Sequence, residues 1–245
     1  MHPDRQPDSS HAHTTRVIAG TRASPFHAVV LRIHSIHCDT PTGEVDRDEI
    51  VLAAIKLEGA VEQLGGRREL TARVASDVPL DAGQFKAGDA RHYGEPRIVA
   101  LFSPGEETDA WPRHYSAILL MLEKDEGAIG DVVSAAVKSV DREVKAAVAK
   151  AVAGTVTTAI AAGAAAGSAL PLVGMAIGTA AGALAGLAMA EIRKAHHDDV
   201  LEPAAIHFSL PGSPVAAGEI PGSRKTIGFR GSRGAYQVSY SWAMG

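Results

Sequence analysis

The sequence predicts an α+β protein, an antiparallel β-sandwich carrying an inserted, long Ala/Gly-rich helical hairpin. Three observations predict it. Short apolar runs with a period near two fill the chain from Arg16 to about Lys124. A stretch of about forty residues without a charge, Ala151 to Ala190, then continues a helical pattern that begins near Gly127. Strand-like alternation returns from Pro203 to Gly245. The chain divides accordingly into a leader (1–15), the first part of the sandwich (16–126), the helical hairpin (127–200) and the strands that complete the sandwich (201–245).

The leader, MHPDRQPDSSHAHTT, is polar, without an apolar segment, and reads as disordered. It contains no signal-peptide pattern. The expectation is a protein made in the cytoplasm, then released or injected and associated with a membrane. Cys38 is the only cysteine, so no intrachain disulfide can form. A net charge of −4 without a Lys/Arg-rich run argues against a nucleic-acid partner. Only 4% of residues are aromatic, and alanine inflates the apolar fraction of 46%, so hydropathy overstates what a core could gain.

In the first β stretch, VVLRIHSIHC (Val29 to Cys38) alternates, and IVLAAIKLEG, RELTARVAS, EPRIVALFS and HYSAILLMLEK follow, each bounded by Gly, Pro, Asp or Ser. Simple alternation would put His34 and His37 on opposite faces of one strand, which spoils a shared metal site with Cys38. An acidic loop (Asp39, Glu44, Asp46, Asp48, Glu49) and a second acidic run (Asp125, Glu126) flank these strands. Such loops resemble those at one end of a C2-type sandwich. That resemblance implies Ca²⁺ held by Asp39, Asp46, Asp48, Asp125 and Glu126, since calcium favours several carboxylate oxygens. The competing reading is simple solvation of loop acids.

The helical stretch carries a row at every fourth position: Val140, Val144, Val148, Val152, Val156 and Ile160. Such a row winds slowly round one helix from roughly Gly130 to Ala166. Gly163, Gly167, Ser168 and Pro171 come next, and the reversal is expected at Gly167 to Pro171. Gly174, Gly178, Gly182 and Gly186 then form a second row of the same pitch. Four glycines in a helix interior would cost roughly 4 kcal/mol if nothing used them. The predicted use is a groove that seats the Val/Ile ridge, Ile160 near Gly174 or Gly178 and Val152 near Gly182 or Gly186. Arg193, Lys194, His196 and His197 close the second helix near its negative end.

Each half of the charge-free segment approaches the twenty residues of a membrane span, but contributes only about −1 to −3 kcal/mol on an insertion scale. Such helices are poor constitutive spans and better conditional ones. An uncharged Ala/Gly hairpin beside a charged amphipathic helix resembles the hydrophobic hairpin of colicin-type pore-forming toxins, and the glycine row resembles glycine-zipper segments of bacterial membrane proteins. The resemblance covers about a sixth of the chain, and a colicin-like pore domain is wholly helical, which this chain is not. It implies a membrane-active, pore-forming or toxin-like protein that meets a lipid bilayer conditionally and associates as a homo-oligomer. The alternative is a structural module whose hairpin forms an oligomer or partner interface. No enzyme signature occurs, neither GxSxG, Walker A, GxGxxG after a strand nor HExxH, so no catalytic residue and no cofactor beyond calcium is expected.

The last strands, AAIHFSL, RKTIGFR and AYQVSYSW, alternate as half-buried strands should. Trp111, Tyr115, Phe208, Phe229, Tyr236, Tyr240 and Trp242 are expected in the sandwich core and at its rim.

Overall fold

A computed structural model describes residues 28–42, 47–64, 67–103, 113–124, 129–162, 170–195, 201–210, 217–231 and 233–245; within these, only the backbone is described at 59–64, 67–71, 148, 150–162, 170–180 and 195. The chain is α+β. Its elements are β1 (Val29–Thr40), β2 (Asp48–Leu64), β3 (Arg67–Ser76), β4 (Leu80–Phe85), β5 (Ala90–Phe102), β6 (Arg113–Glu123), α1 (Ile129–Ala162), α2 (Leu170–Ala195), β7 (Ala204–Leu210), β8 (Gly218–Glu219), β9 (Lys225–Arg230) and β10 (Ala235–Met244). All strand pairings are antiparallel.

Two five-stranded sheets result. The first runs β5-β1-β10-β8, with β9 paired to another length of β10; the second runs β3-β2-β6-β7, with β4 paired to the start of β2. The helices fall between β6 and β7, which are neighbours in the second sheet with Tyr115 opposite Phe208 and Leu119 opposite Ala204. What would be an ordinary hairpin connection is thus enlarged into a pair of helices.

The period-two pattern decides which side chains meet. Val29, Leu31 and Ile33 from β1, Leu52 and Ala54 from β2, Ala117, Leu119 and Met121 from β6, and Tyr236, Val238, Tyr240 and Trp242 from β10 share one buried cluster between the sheets. The intervening residues of β2 and β6 face the other way. Ala53, Ile55, Leu57, Ile118, Leu120 and Leu122 pack with Val132, Val133, Ala136, Val140 and Val144 of α1 and with Leu184, Ala185, Ala188, Met189 and Ile192 of α2. Both faces of β2 and β6 are buried, so IVLAAI and SAILLML read as near-continuous apolar runs.

Four expectations need correction. β4 and β8 were not predicted. The segment LDAGQF holds a glycine with positive φ at Gly83 and an exposed Asp81, which mask its alternation. His34 and His37 do not lie on opposite faces: register shifts between Ile33 and Ser35 on both sides of β1 reset the alternation, so Ile33, Ile36 and Cys38 all point into the core and both histidines point away from it. Pro171 is not in the reversal but inside the first turn of α2, where a missing N–H costs nothing. The glycine groove is the fourth correction and belongs with the site. The aromatic residues match expectation: Tyr115, Phe229, Tyr236, Tyr240 and Trp242 are buried and Phe208 packs against them, while Trp111 lies outside the described residues.

Candidate functional site

The candidate site is the helical pair and the place where it joins the sheets. In α1 the row starts as predicted, since Val140 and Val144 are fully buried. Asp131 stands in the first turn, and the Lys145 ammonium meets the Asp141 carboxylate at 2.9 Å one turn away. Along α2 the buried stripe is Ala181, Leu184, Ala185, Ala188, Met189 and Ile192, a helical apolar face turned to the sheet and to α1. Arg193 and Lys194 occupy its last turn, with Lys194 Nζ 2.7 Å from Glu191. Glu191 is held below the ordinary carboxylate range chiefly by that lysine, and it also accepts a hydrogen bond from Ser139 of α1. Ser139 and Glu191 therefore mark one level of the helix pair.

The glycines sit on a different face. Gly182 and Gly186 are exposed, as is Ala190 one turn on, and a Cβ built on either glycine meets no described atom within 4 Å. The predicted seating of the valine ridge in this groove does not occur there. Val140 and Val144 instead pack on the outer face of the second sheet and on the alanine-leucine stripe of α2. The reason is azimuth: positions 182 and 186 are one residue along from Ala181 and Ala185, so a step of about 100° carries them off the contact. The neighbours of Val148, Val152, Val156, Ile160, Pro171, Gly174 and Gly178 lie outside the described side chains, as do Gly163 and Gly167 altogether. Among the described residues no helix is long and apolar enough to cross a membrane.

Of the predicted calcium ligands, the two that are described, Asp39 and Asp48, do not converge. Asp46, Asp125 and Glu126 lie outside the described residues. Asp39 is exposed, accepting from Gln237 Nε2 at 2.9 Å and standing 3.2 Å from His37 Nε2. Asp48, the first residue of β2, is completely buried and points the other way. Among the described residues no group of three or more His, Cys, Asp or Glu could hold a metal ion.

Asp48 belongs instead to a buried polar cluster that sequence reasoning missed. Its Oδ2 accepts from the Thr42 backbone N–H at 2.6 Å and from the Tyr236 hydroxyl, while its Oδ1 has no hydrogen-bond partner among the described residues. The Thr42 hydroxyl donates to Glu123 Oε2 at 2.7 Å. Burial, and then the bond to Asp48, push the Tyr236 phenol far above its ordinary value; burial likewise raises the Cys38 thiol beside it. Thr42, Asp48, Glu123 and Tyr236 are all less than 8% exposed. The one sequence signal was position: Asp48 opens a strand whose apolar run begins at Ile50, and Glu123 ends another directly after the apolar run that closes at Leu122.

The first sheet's outer face carries a smaller polar group. His34 Nε2 lies 2.8 Å from Ser241 Oγ, with Arg224 and Glu219 beside it. At the far ends of β6 and β7, His114 and His207 stack 5.5 Å apart, with Ser116, Ser209 and each other's rings as neighbours. A cavity of about 120 Å³ lies beside His207, lined by Phe208, Ser223, Lys225, Tyr240 and Trp242. That is well under the 300 Å³ or so at which pockets begin to bury a drug-sized ligand. No family model, curated protein or solved structure matches this chain.

Proposed function

We propose that the chain is a membrane-active protein of the pore-forming, toxin-like kind, in which a β-sandwich holds an uncharged helical hairpin for conditional entry into a bilayer. One observation carries the reading. The segment Ala151 to Ala190 holds no charge, and it covers the last part of α1 and most of α2, bounded by Lys150 and Glu191. A hairpin of that design can enter apolar surroundings and return without burying a charge, and its backbone groups are satisfied within the helices. Its low apolar content makes entry conditional rather than spontaneous. Gly182 and Gly186, open in the folded chain, supply faces on which hairpins from several copies pack closely once lipid replaces water.

Dye release from anionic liposomes, scanned over pH and calcium, tests this. Leakage together with blue-shifted fluorescence from probes on single cysteines placed between 151 and 190 is the expected outcome. No leakage under any condition, with every probe remaining aqueous, overturns it.

A second reading draws on the open glycine face itself. A structural module would use Gly182 and Gly186 to pair hairpins in water, giving a stable oligomer without lipid. Sedimentation of wild type and Gly182→Leu separates the two: an oligomer that Gly182→Leu dissociates, in a protein inert to liposomes, establishes assembly instead.

A further inference from the structure

We infer that the Thr42-centred polar cluster is a latch fastening the base of the helical pair to the sheets, so that its release frees both helices while the β scaffold stays folded. The inference rests on the proposal that the helices move. Its grounds are positional. Glu123 is the last residue of β6, where the chain leaves the sheets for α1, and Leu201 is the buried residue at which it comes back toward β7. Thr42 binds the departing route and meets the returning one through Gly234. Its hydroxyl binds Glu123, and a Cβ on Gly234 would stand 2.7 Å from Thr42 Cγ2 and 3.2 Å from Leu201 Cδ2, so Gly234 packs closely against both Thr42 and Leu201.

Thr42 is in turn fixed to the first sheet. Its backbone N–H donates to Asp48, which also receives the Tyr236 hydroxyl from β10. Tyr236 packs edge-on against Phe85, 5.9 Å between centroids. Backbone bonds reinforce both routes: Lys124 N–H to Glu49 O at 2.6 Å on departure, Glu202 N–H to Arg230 O at 2.7 Å on return. A hydroxyl-to-carboxylate bond in a buried site is among the stronger single interactions in a protein. The cluster thus couples β1, β2, β6 and β10 where the described ends of both connections of the helical pair meet the sheets.

Hydrogen exchange on the full chain without lipid, read by mass spectrometry, tests the latch apart from any membrane activity. Thr42→Val keeps the shape and removes the hydroxyl. Exchange in 129–147 and 181–195 should rise roughly ten- to hundredfold, with β1 and β10 peptides unchanged. Thr42→Ser, which retains the donor, should exchange like wild type. Should Thr42→Val not fold, Glu123→Gln is read alone, with a smaller rise confined to the same helices. A rise spread evenly over the sheets, no rise at all, or Thr42→Ser matching Thr42→Val overturns the latch. Selective loosening without any dye release from anionic liposomes keeps the latch and removes the membrane reading.

Discussion

The central strands β2 and β6 of the second sheet are buried on both faces, but the two interfaces are built from different side chains. Toward the other sheet stand Phe85, Phe102, Tyr115, Phe229, Tyr236, Tyr240 and Trp242. Phe102 lies 5.4 Å from Tyr115 and 5.7 Å from Trp242, and Phe208 stacks on Trp242 at 5.2 Å. Toward the helices the described cluster holds Ala, Val, Leu, Ile and Met and no aromatic ring. An aromatic side chain buries 150–250 Å², several times what alanine can. The sheets are therefore joined by large aromatic groups, and the helices rest on an aliphatic surface without described rings. Separating the sheets would dismantle the protein; lifting the helices forfeits much less.

The largest expected effect lies in the first interface. Phe102→Ala removes a ring that touches both Tyr115 and Trp242, and it should cost about 3–5 kcal/mol of global stability in a chemical denaturation series. All strands and both helices should unfold together. Leu184→Ala on the helix face is the matched comparison, with an expected cost of about 2–3 kcal/mol. Its signature is locality: exchange should rise in the described parts of α1 and α2 before it rises in β1 or β10. A uniform rise for Leu184→Ala would mean that the two interfaces form one cooperative unit, and the contrast drawn between them would fail.

Acid should sharpen the contrast from the other end of β6 and β7. Burial lowers the His114 and His207 values below the usual imidazole figure of 6.5, and the His114 ring further disfavours charge on His207. A histidine whose folded value is depressed stabilises the fold above 6.5, where it is neutral in both states. That contribution is lost as pH falls below 6.5 through the folded value, because the unfolded chain takes up the proton first. Stability should thus decline below about pH 6.5, and His207→Gln should flatten the decline. An unchanged pH profile in His207→Gln would exclude this pair as its source.

The contrast between the interfaces was only partly written in the sequence. Alternation located β1 and β10, where one face follows the core, and β6 was located as an apolar run between polar boundaries, because both its faces are buried. Alternation missed β4, where Gly83 and exposed polar residues interrupt six residues of strand. The helix pattern survived because Val140 and Val144 face the sheet and Ala181, Leu184, Ala185 and Ala188 form a stripe of the right period. At Gly182 and Gly186 the glycine row did not predict the packing, for a physical reason. A row of missing side chains shows where a close approach is allowed, not which neighbour makes it, and the sheet provided a larger apolar surface than α1 could. The buried cluster at Thr42 was equally invisible, since nothing local in an Asp, a Thr and a Glu spread over eighty residues says that they meet.

The smallest stability change gives the sharpest test of what the open glycines are for. A Cβ on Gly182 or Gly186 meets no described atom within 4 Å, and both sit in an α-helix interior. Alanine there should reduce the freedom of the unfolded chain and stabilise the folded protein by about 0.5–1 kcal/mol per site, visible as a small upward shift in melting temperature. If the exposed row exists to be packed by another hairpin, the same added methyl groups obstruct that approach. The double variant Gly182→Ala, Gly186→Ala should then be the more stable protein and the poorer one, its dye release or its oligomer reduced at least several-fold. A variant that gains stability and keeps full leakage and association would show that no helix approaches this face. The glycine row would then be a cost the fold carries without return, and the case for hairpins meeting through it would end.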